Sequence, residues 1–327
     1  MPTPPDSLRV FELYSGLGGC AAALAQASWR EQAQVVAAAD QNPYARAAYT
    51  LNFPHPVLKF NLAKVRVQEL ATIEANLWWL SPPCQPYTRR GHRRDDEDPR
   101  ARSLLHLMDI LEQLGPAAPT SLALENVPGF AESRCHRRLR KTLDKLGFLV
   151  QEGQLCPSEL GGATRRRRFF LVASRQGRPL PFPRPTAEIP GSPTPPLSAH
   201  VDPSMDDLED LRPSEKILQA YSEALSVVNR EDPQALTACF TAAYGRSPVR
   251  SGSYLSTPSG LRRFSPREIL NFLGFPPGYQ LPPIPRDLPW RKAYQLVGNS
   301  LSVPCVTLAL SRLRLLPAEE EQPSAES

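Results

Sequence analysis

Five short apolar runs punctuate the first half of the chain: Leu8 to Tyr14, Val35 to Ala39, Leu77 to Leu80, Leu122 to Leu124 and Phe169 to Ala173. Short continuous runs of this kind suit strands covered on both faces, as in a parallel sheet flanked by helices. Between them, Leu104 to Leu114 and Leu139 to Leu146 place apolar residues at helical spacing. The alternation of strand and helix predicts an α/β, doubly wound, Rossmann-like sheet.

The pattern breaks after Ser174, where prolines at 179, 181, 183, 185, 190, 193, 195 and 196 mark an extended linker. From Asp202 to Arg286 the periodicity is weak, with one helix predicted over Ser214 to Val227. Arg291 to Leu316 becomes periodic and apolar again, as a helix returning to the first domain would be. These shifts predict a catalytic domain built from residues 1–175 and 287–316, a linker and small loop-rich recognition domain over 176–286, and a disordered tail over 317–327. No fixed-period repeat is visible, which argues against a solenoid.

No apolar run approaches the ~20 residues that cross a bilayer, so a soluble, cytoplasmic protein without membrane association is expected. The six cysteines stand singly, without the paired spacing of a zinc or dithiol site, so no metal is expected. The net charge of +5 averages over an acidic tail and three basic clusters. These are Arg89, Arg90, His92, Arg93 and Arg94; Arg134 to Lys141; and Arg165 to Arg168. Each alone could be a solvated face, but three together favour a polyanionic partner.

Candidate chemistry gathers at the carboxyl ends of the predicted strands. The first strand runs into Tyr14-Ser15-Gly16-Leu17-Gly18-Gly19 and an Ala-rich helix, a turn that brings backbone close to a ligand. Asp40, at the end of the second strand, is placed to accept from ribose hydroxyls. The turn lacks the third glycine of a dinucleotide fingerprint, which favours a nucleoside-type cofactor such as S-adenosylmethionine over NAD. After the third strand comes Ser81-Pro82-Pro83-Cys84-Gln85-Pro86-Tyr87-Thr88, one cysteine stiffened by three prolines. The fourth ends in Leu124-Glu125-Asn126-Val127-Pro128. A thiolate from Cys84 could add to carbon 6 of a cytosine while Glu125 protonates nitrogen 3, making carbon 5 nucleophilic.

The glycine turn, the Pro-Cys loop, the Glu-Asn-Val strand end, Arg166 and Arg168, and Gly298-Asn299-Ser300 together resemble the ordered motifs of the cytosine-5 methyltransferase family over nearly all of residues 8–316. The resemblance implies catalytic roles for Cys84, Glu125, Arg166 and Arg168. It implies a cofactor site lined by Ser15, Gly16, Leu17, Gly18, Gly19, Asp40, Gln41, Asn61 and Leu62 and closed by Ser81, Ser103 and Asn299. Thr164 replaces the family's usual glutamine.

Within the family, Gln85-Pro86-Tyr87-Thr88-Arg89, Ala238-Cys239-Phe240-Thr241 followed by Tyr244-Gly245, and a short recognition segment are most similar to the branch known as DNA methyltransferase homolog two. That branch implies methylation of the anticodon-loop cytosine of aspartate tRNA; a monomer is expected. An unstacked loop base also needs less extrusion than one in a duplex. Substrate contacts are then expected from Tyr87, Thr88, Arg89, Arg90, Arg165, Arg167, Cys239, Phe240, Thr241 and Tyr244. Tyr87, Phe240, Tyr244 and Tyr254 are candidate stacking surfaces, with core packing as the competing role. A DNA cytosine-5 methyltransferase and an inactive nucleic-acid-binding relative are the alternatives, and the presence of both Cys84 and Glu125 disfavours the second.

Overall fold

The computed structural model describes residues 7–26, 32–88, 94–183 and 195–313. The predicted Arg89, Arg90 and residues 317–327 lie outside these. Strands β1 (Leu8–Leu13), β2 (Ala33–Ala39), β3 (Val57–Leu58), β4 (Leu77–Leu80) and β5 (Ser121–Asn126) form the parallel part of a seven-stranded sheet. Helices α1 (Gly19–Leu24), α2 (Pro43–Asn52), α3 (Val67–Ala71) and α4 (Arg102–Leu114) connect them. Then come α5 (Arg134–Lys145), β6 (Leu149–Leu155) and β7 (Arg168–Ser174). The strand order is β3-β2-β1-β4-β5-β7-β6.

All four residues of β4 and all six of β5 are buried, as continuous apolar runs require when helices cover both faces. Two hydrophobic clusters lie against the sheet, one holding Val10, Trp79 and Phe170 and the other Phe11, Trp78 and Leu171. Alternate residues of one strand thus feed opposite sides.

Phe169 to Ala173 is indeed a strand, yet β7 runs antiparallel to both β5 and β6 rather than parallel. An apolar run reports burial, not direction. β6 was not expected: its Val-Gln-Glu-Gly-Gln pattern is polar because it is an edge strand.

The helix expected over Ser214 to Val227 is confined to α6 (Glu215–Tyr221). A short turn follows, then β8 (Val227–Asn229), which pairs with β9 (Tyr254–Thr257) and, through it, β10 (Gly260–Arg263) in a second sheet. Val227 pairs with Tyr254 in this sheet, where backbone pairing outcompetes a weak helical pattern. After α7 (Pro266–Phe272), the single helix expected over Arg291 to Leu316 is two: α8 (Trp290–Asn299) and α9 (Val303–Leu310). Pro304, in the first turn of α9, cannot donate to a helix continuing from α8. α9 packs on α1, and α7 on α8.

Candidate active site

Chain order reverses between neighbouring β1 and β4, so the loops leaving their carboxyl ends diverge and open a crevice. On the β1 side the chain turns sharply, Gly18 N–H donating to Ser15 O at 2.7 Å. Gly18 precedes α1 with φ 76°, in the left-handed region, and a side chain there would strike the rings of Tyr49 and Phe53. Under this turn lies Glu12, which sequence reasoning missed because it interrupts an apolar strand. Its carboxyl is fully buried and accepts from Cys20 N–H (2.9 Å), Ala21 N–H (3.3 Å) and the Tyr49 hydroxyl (2.9 Å). Burial pushes it up to about 7 in spite of these donors.

Asp40 completes the turn. One carboxyl oxygen accepts from Gly16 N–H and the other from Asn42 N–H, each at 2.8 Å. Burial raises its pKa, with the backbone donors opposing. Nearby, Gln41 Nε2 donates to Asn61 Oδ1 at 3.2 Å, joining two predicted cofactor residues.

On the other side, the Pro-Cys loop is tied down at its start. Trp79 Nε1 donates to Ser81 Oγ at 2.8 Å, and Asn126 Nδ2 donates to Pro82 O at 3.1 Å. Buried Asn126 therefore sets the Cys84 loop relative to Glu125, its own neighbour on β5. Arg168 Nε lies 3.3 Å from Glu125 Oε1. Burial raises the Glu125 carboxyl, with Arg168 and then Arg166 pulling it back. Burial likewise pushes the Cys84 thiol up, Arg168 lowering it and Glu125 adding to the rise.

The run Arg165 to Arg168 alternates: Arg166 is buried and Arg168 largely so, whereas Arg165 and Arg167 face outward. The Arg166 guanidinium donates to Phe240 O (2.8 Å), Gly298 O (3.1 Å) and Ser300 O. It joins the Cys239-Phe240-Thr241 segment to the end of α8. Gly298 permits this closeness, since a side chain there would meet the Thr241 carbonyl at 2.3 Å. Cys239 Sγ lies 3.7 Å from Arg166 Nη1 and 3.8 Å from Arg168 Nη2. Burial alone would raise that thiol, and the two guanidiniums more than reverse it, so its pKa is lowered.

A cavity of about 590 Å³ joins the two sides. All four predicted catalytic residues line it, with every predicted cofactor residue except Gly18, whose part is conformational. Pro99 and Arg100 also reach its wall and were not predicted. The hydroxyls of Ser15 and Ser300 and the Gln85 amide oxygen are buried there without a hydrogen-bond partner among the described residues. Such groups suit a polar ligand with several donors and acceptors.

A family model for C-5 cytosine-specific DNA methylases matches residues 8–224. The chain belongs to that family. It is thus a cytosine carbon-5 methyltransferase with a Rossmann-like fold. It is 32% identical to a tRNA (cytosine(38)-C(5))-methyltransferase of Bos taurus over 91% of this chain and 97% of the relative. Identity with a DNA (cytosine-5)-methyltransferase of Dictyostelium discoideum is 30%, over 96% of each. The crystal structure of the S. pombe Dnmt2 methyltransferase superposes with a TM-score of 0.79 at 27% identity, covering 93% of this chain and 97% of that one.

Other expected substrate contacts fare differently in this methyltransferase. The rings of Tyr87, Phe240, Tyr244 and Tyr254 are buried. Tyr87 packs edge-on against Phe130, and Phe240 sits among Tyr244, Phe264 and Phe272. They are core residues rather than stacking surfaces. Thr88 and Thr241 serve their own turns, Thr88 Oγ1 donating to Gln85 O and Thr241 Oγ1 accepting from Ala243 N–H. Arg167 pairs with Glu159, while the outward Arg165 side chain has no partner among the described residues. The described residues include no cluster able to hold a metal and no helix long and apolar enough to cross a membrane.

Proposed function

We propose that this methyltransferase uses S-adenosylmethionine to methylate carbon 5 of a cytosine in tRNA, at the anticodon-loop position 38 of aspartate tRNA. One observation carries the chemistry: a single cavity unites the glycine turn and Asp40 with Cys84, Glu125 and Arg168. The substrate follows from near full-length similarity to proteins named for that tRNA position, in Bos taurus and in Homo sapiens at 31% identity. It implies work in the cytoplasm, with residues 176–286 as linker and recognition domain beside a catalytic domain of 1–175 and 287–316.

The residues present fit the cofactor. Asp40 would meet the ribose, Gln41, Asn61 and Leu62 the adenine side, and Ser15, Leu17 and Ser300 the amino-acid end. When bound, S-adenosylmethionine supplies an electrophilic methyl group. Everything else falls to the chain. Cys84 Sγ adds to carbon 6 of the cytosine. Glu125, whose carboxyl burial shifts toward its neutral form, gives its proton to nitrogen 3 and so takes up the negative charge that addition develops in the ring. Arg168 holds that carboxyl in place and offers a cation to the base. Once carbon 5 is substituted, its proton passes to water, the electron pair it leaves expels the Cys84 sulfur as thiolate, and nitrogen 3 returns its proton to Glu125.

Transfer of tritiated methyl to total tRNA and, in parallel, to duplex DNA tests this reading, with bisulfite sequencing of the labelled species. Label on an anticodon-loop cytosine that vanishes in Cys84→Ala is the expected result, with cofactor binding in the variant intact by calorimetry. Label confined to DNA would replace tRNA with DNA as the substrate.

A further inference from the structure

Arg100 lines the catalytic cavity, yet none of the steps above uses it. It sits in the turn Pro99–Ala101 leading into α4, with its side chain 51% exposed, at the mouth rather than the floor. Asp98, itself buried, grips one edge of the guanidinium. Arg100 Nε donates to Oδ1 at 2.9 Å and Nη2 to Oδ2 at 2.7 Å, while the Arg100 backbone N–H also donates to Oδ1 at 2.9 Å. These bonds, the guanidinium ones foremost, hold the Asp98 carboxyl down to about 2, so it stays anionic at any working pH.

A guanidinium carries five N–H donors, and Asp98 takes two of them. The edge formed by Nη1 and the second hydrogen of Nη2 remains, and no described residue occupies it. That edge matches two oxygens of a phosphate, and fixing the side chain beforehand lowers the entropy lost on binding. Arg100 also stands near the nucleophile: its pKa is raised, first by Asp98 and in lesser part by the Cys84 sulfur. A base attacked by Cys84 must enter the cavity, while the chain that carries it cannot follow and must cross the mouth. Resting on the reading of a polynucleotide substrate, we propose that Arg100, oriented by Asp98, binds the backbone phosphate of the nucleotide whose base enters the cavity. The amino-acid carboxylate of the cofactor is the other anion the cavity would receive. The exposure of Arg100 favours the polymer, which stays partly in solvent, over a ligand enclosed beside the glycine turn.

Binding rather than turnover gives the test. A fluorescein-labelled tRNA transcript is titrated by anisotropy across a series of KCl concentrations with wild type, Arg100→Ala, Arg100→Lys and Asp98→Asn, and S-adenosylmethionine binding is measured by calorimetry in parallel. Arg100→Ala is expected to weaken tRNA binding about tenfold and to flatten the log–log salt slope by about 0.7 to 0.9. Arg100→Lys keeps the charge and hence the slope, but loses affinity because the fork is gone, whereas Asp98→Asn removes the adjacent anion and leaves the slope no flatter than in wild type. Cofactor affinity stays within about twofold throughout. An unchanged slope in Arg100→Ala overturns the assignment, as does lost cofactor affinity with tRNA binding intact. If wild type binds a duplex oligonucleotide and not tRNA, the tRNA reading fails, and the same slope comparison on the duplex decides Arg100. Binding of neither polymer by wild type overturns both.

Discussion

Two arginine-rich stretches look alike in composition and are used in opposite ways. In α5, Arg134 pairs with Asp96 and Glu97, Arg138 with Asp109 and Glu112, Arg140 with Glu152, and Lys145 with Glu112. The acids come from the turn before α4, from α4 itself and from β6. Asp95 adds its carboxylate to the first backbone N–H groups of α5, at Arg134 and Cys135. Three cations of the basic cluster read as a polyanion contact, Arg134, Arg138 and Arg140, are thus paired with acids and fasten α5 to its neighbours, whereas Arg137 and Lys141 have no ion pair among the described residues. In Arg165 to Arg168, burial alternates along the segment that leads into β7, which sends one pair into the active site and the other to the surface. Density of charge does not distinguish the two cases. The period of the element that carries it, and the acids brought opposite by the fold, do.

Substitutions at matched positions would break that comparison if it is wrong. The largest effect is expected at Arg168, whose guanidinium meets the Glu125 carboxyl. Arg168→Ala should lower kcat by about a hundredfold or more, while Arg138→Ala should leave turnover within about twofold and change stability by less than ~1 kcal/mol, as exposed ion pairs do. Equal losses in the two variants would remove the distinction. Arg166 should differ from both. Its buried guanidinium holds three carbonyls of two distant segments, so Arg166→Ala should cost roughly 3 kcal/mol of stability in a denaturant titration, from buried acceptors left unpaired. It should also lower activity. A variant with wild-type stability and no turnover would instead place Arg166 on the substrate.

Much of this site was legible in the sequence, and the failures have physical causes. Cys84, Glu125 and Asp40 stand at strand ends, where topology compels ligands to bind, so position along the chain and residue type sufficed. The burial of Phe240 and Tyr244 was not legible, because an aromatic ring suits a core and a stacking platform equally. Only the ring of Phe264 and the Ser253 carbonyl that accepts from Tyr244 settle which. Glu12 and Arg100 escaped notice for a related reason. Each acts through partners distant in sequence or through a local grip that no periodicity announces. The break between α8 and α9 was signalled by Pro304, and the apolar pattern running across it concealed the signal.

The inner arginine pair also sets two thiols apart. Cys239 is pulled down by Arg166 and Arg168, whereas burial and Glu125 leave Cys84 high. A lowered pKa means more thiolate at a given pH, and thiolate is the reactive form. Brief iodoacetamide treatment of free enzyme near pH 7.5, followed by peptide mass spectrometry, should therefore label Cys239 ahead of Cys84. The gap should narrow as pH rises and Cys84 ionises. In Arg168→Ala both thiols lose a neighbouring cation, so both should label more slowly at pH 7.5. Preferential labelling of Cys84 in the wild type would mean that the guanidiniums serve the catalytic thiol first.

The smallest expected effect lies at the outer pair. Arg165 and Arg167 are both exposed on the segment that enters β7, yet Arg167 is held by Glu159 and Arg165 is free among the described residues. A cation already paired releases less counterion on meeting a phosphate, because its acid must be displaced first. Arg165→Ala should accordingly reduce the salt slope of tRNA binding by up to about 0.9, Arg167→Ala by less, and Arg140→Ala, at an α5 cation paired with Glu152, by nothing measurable. Glu159→Gln supplies the converse, freeing Arg167 and steepening the slope. Were Arg140→Ala to flatten it as much as Arg165→Ala, the ion pairs of α5 would have to open on binding. The two stretches would then share one function after all.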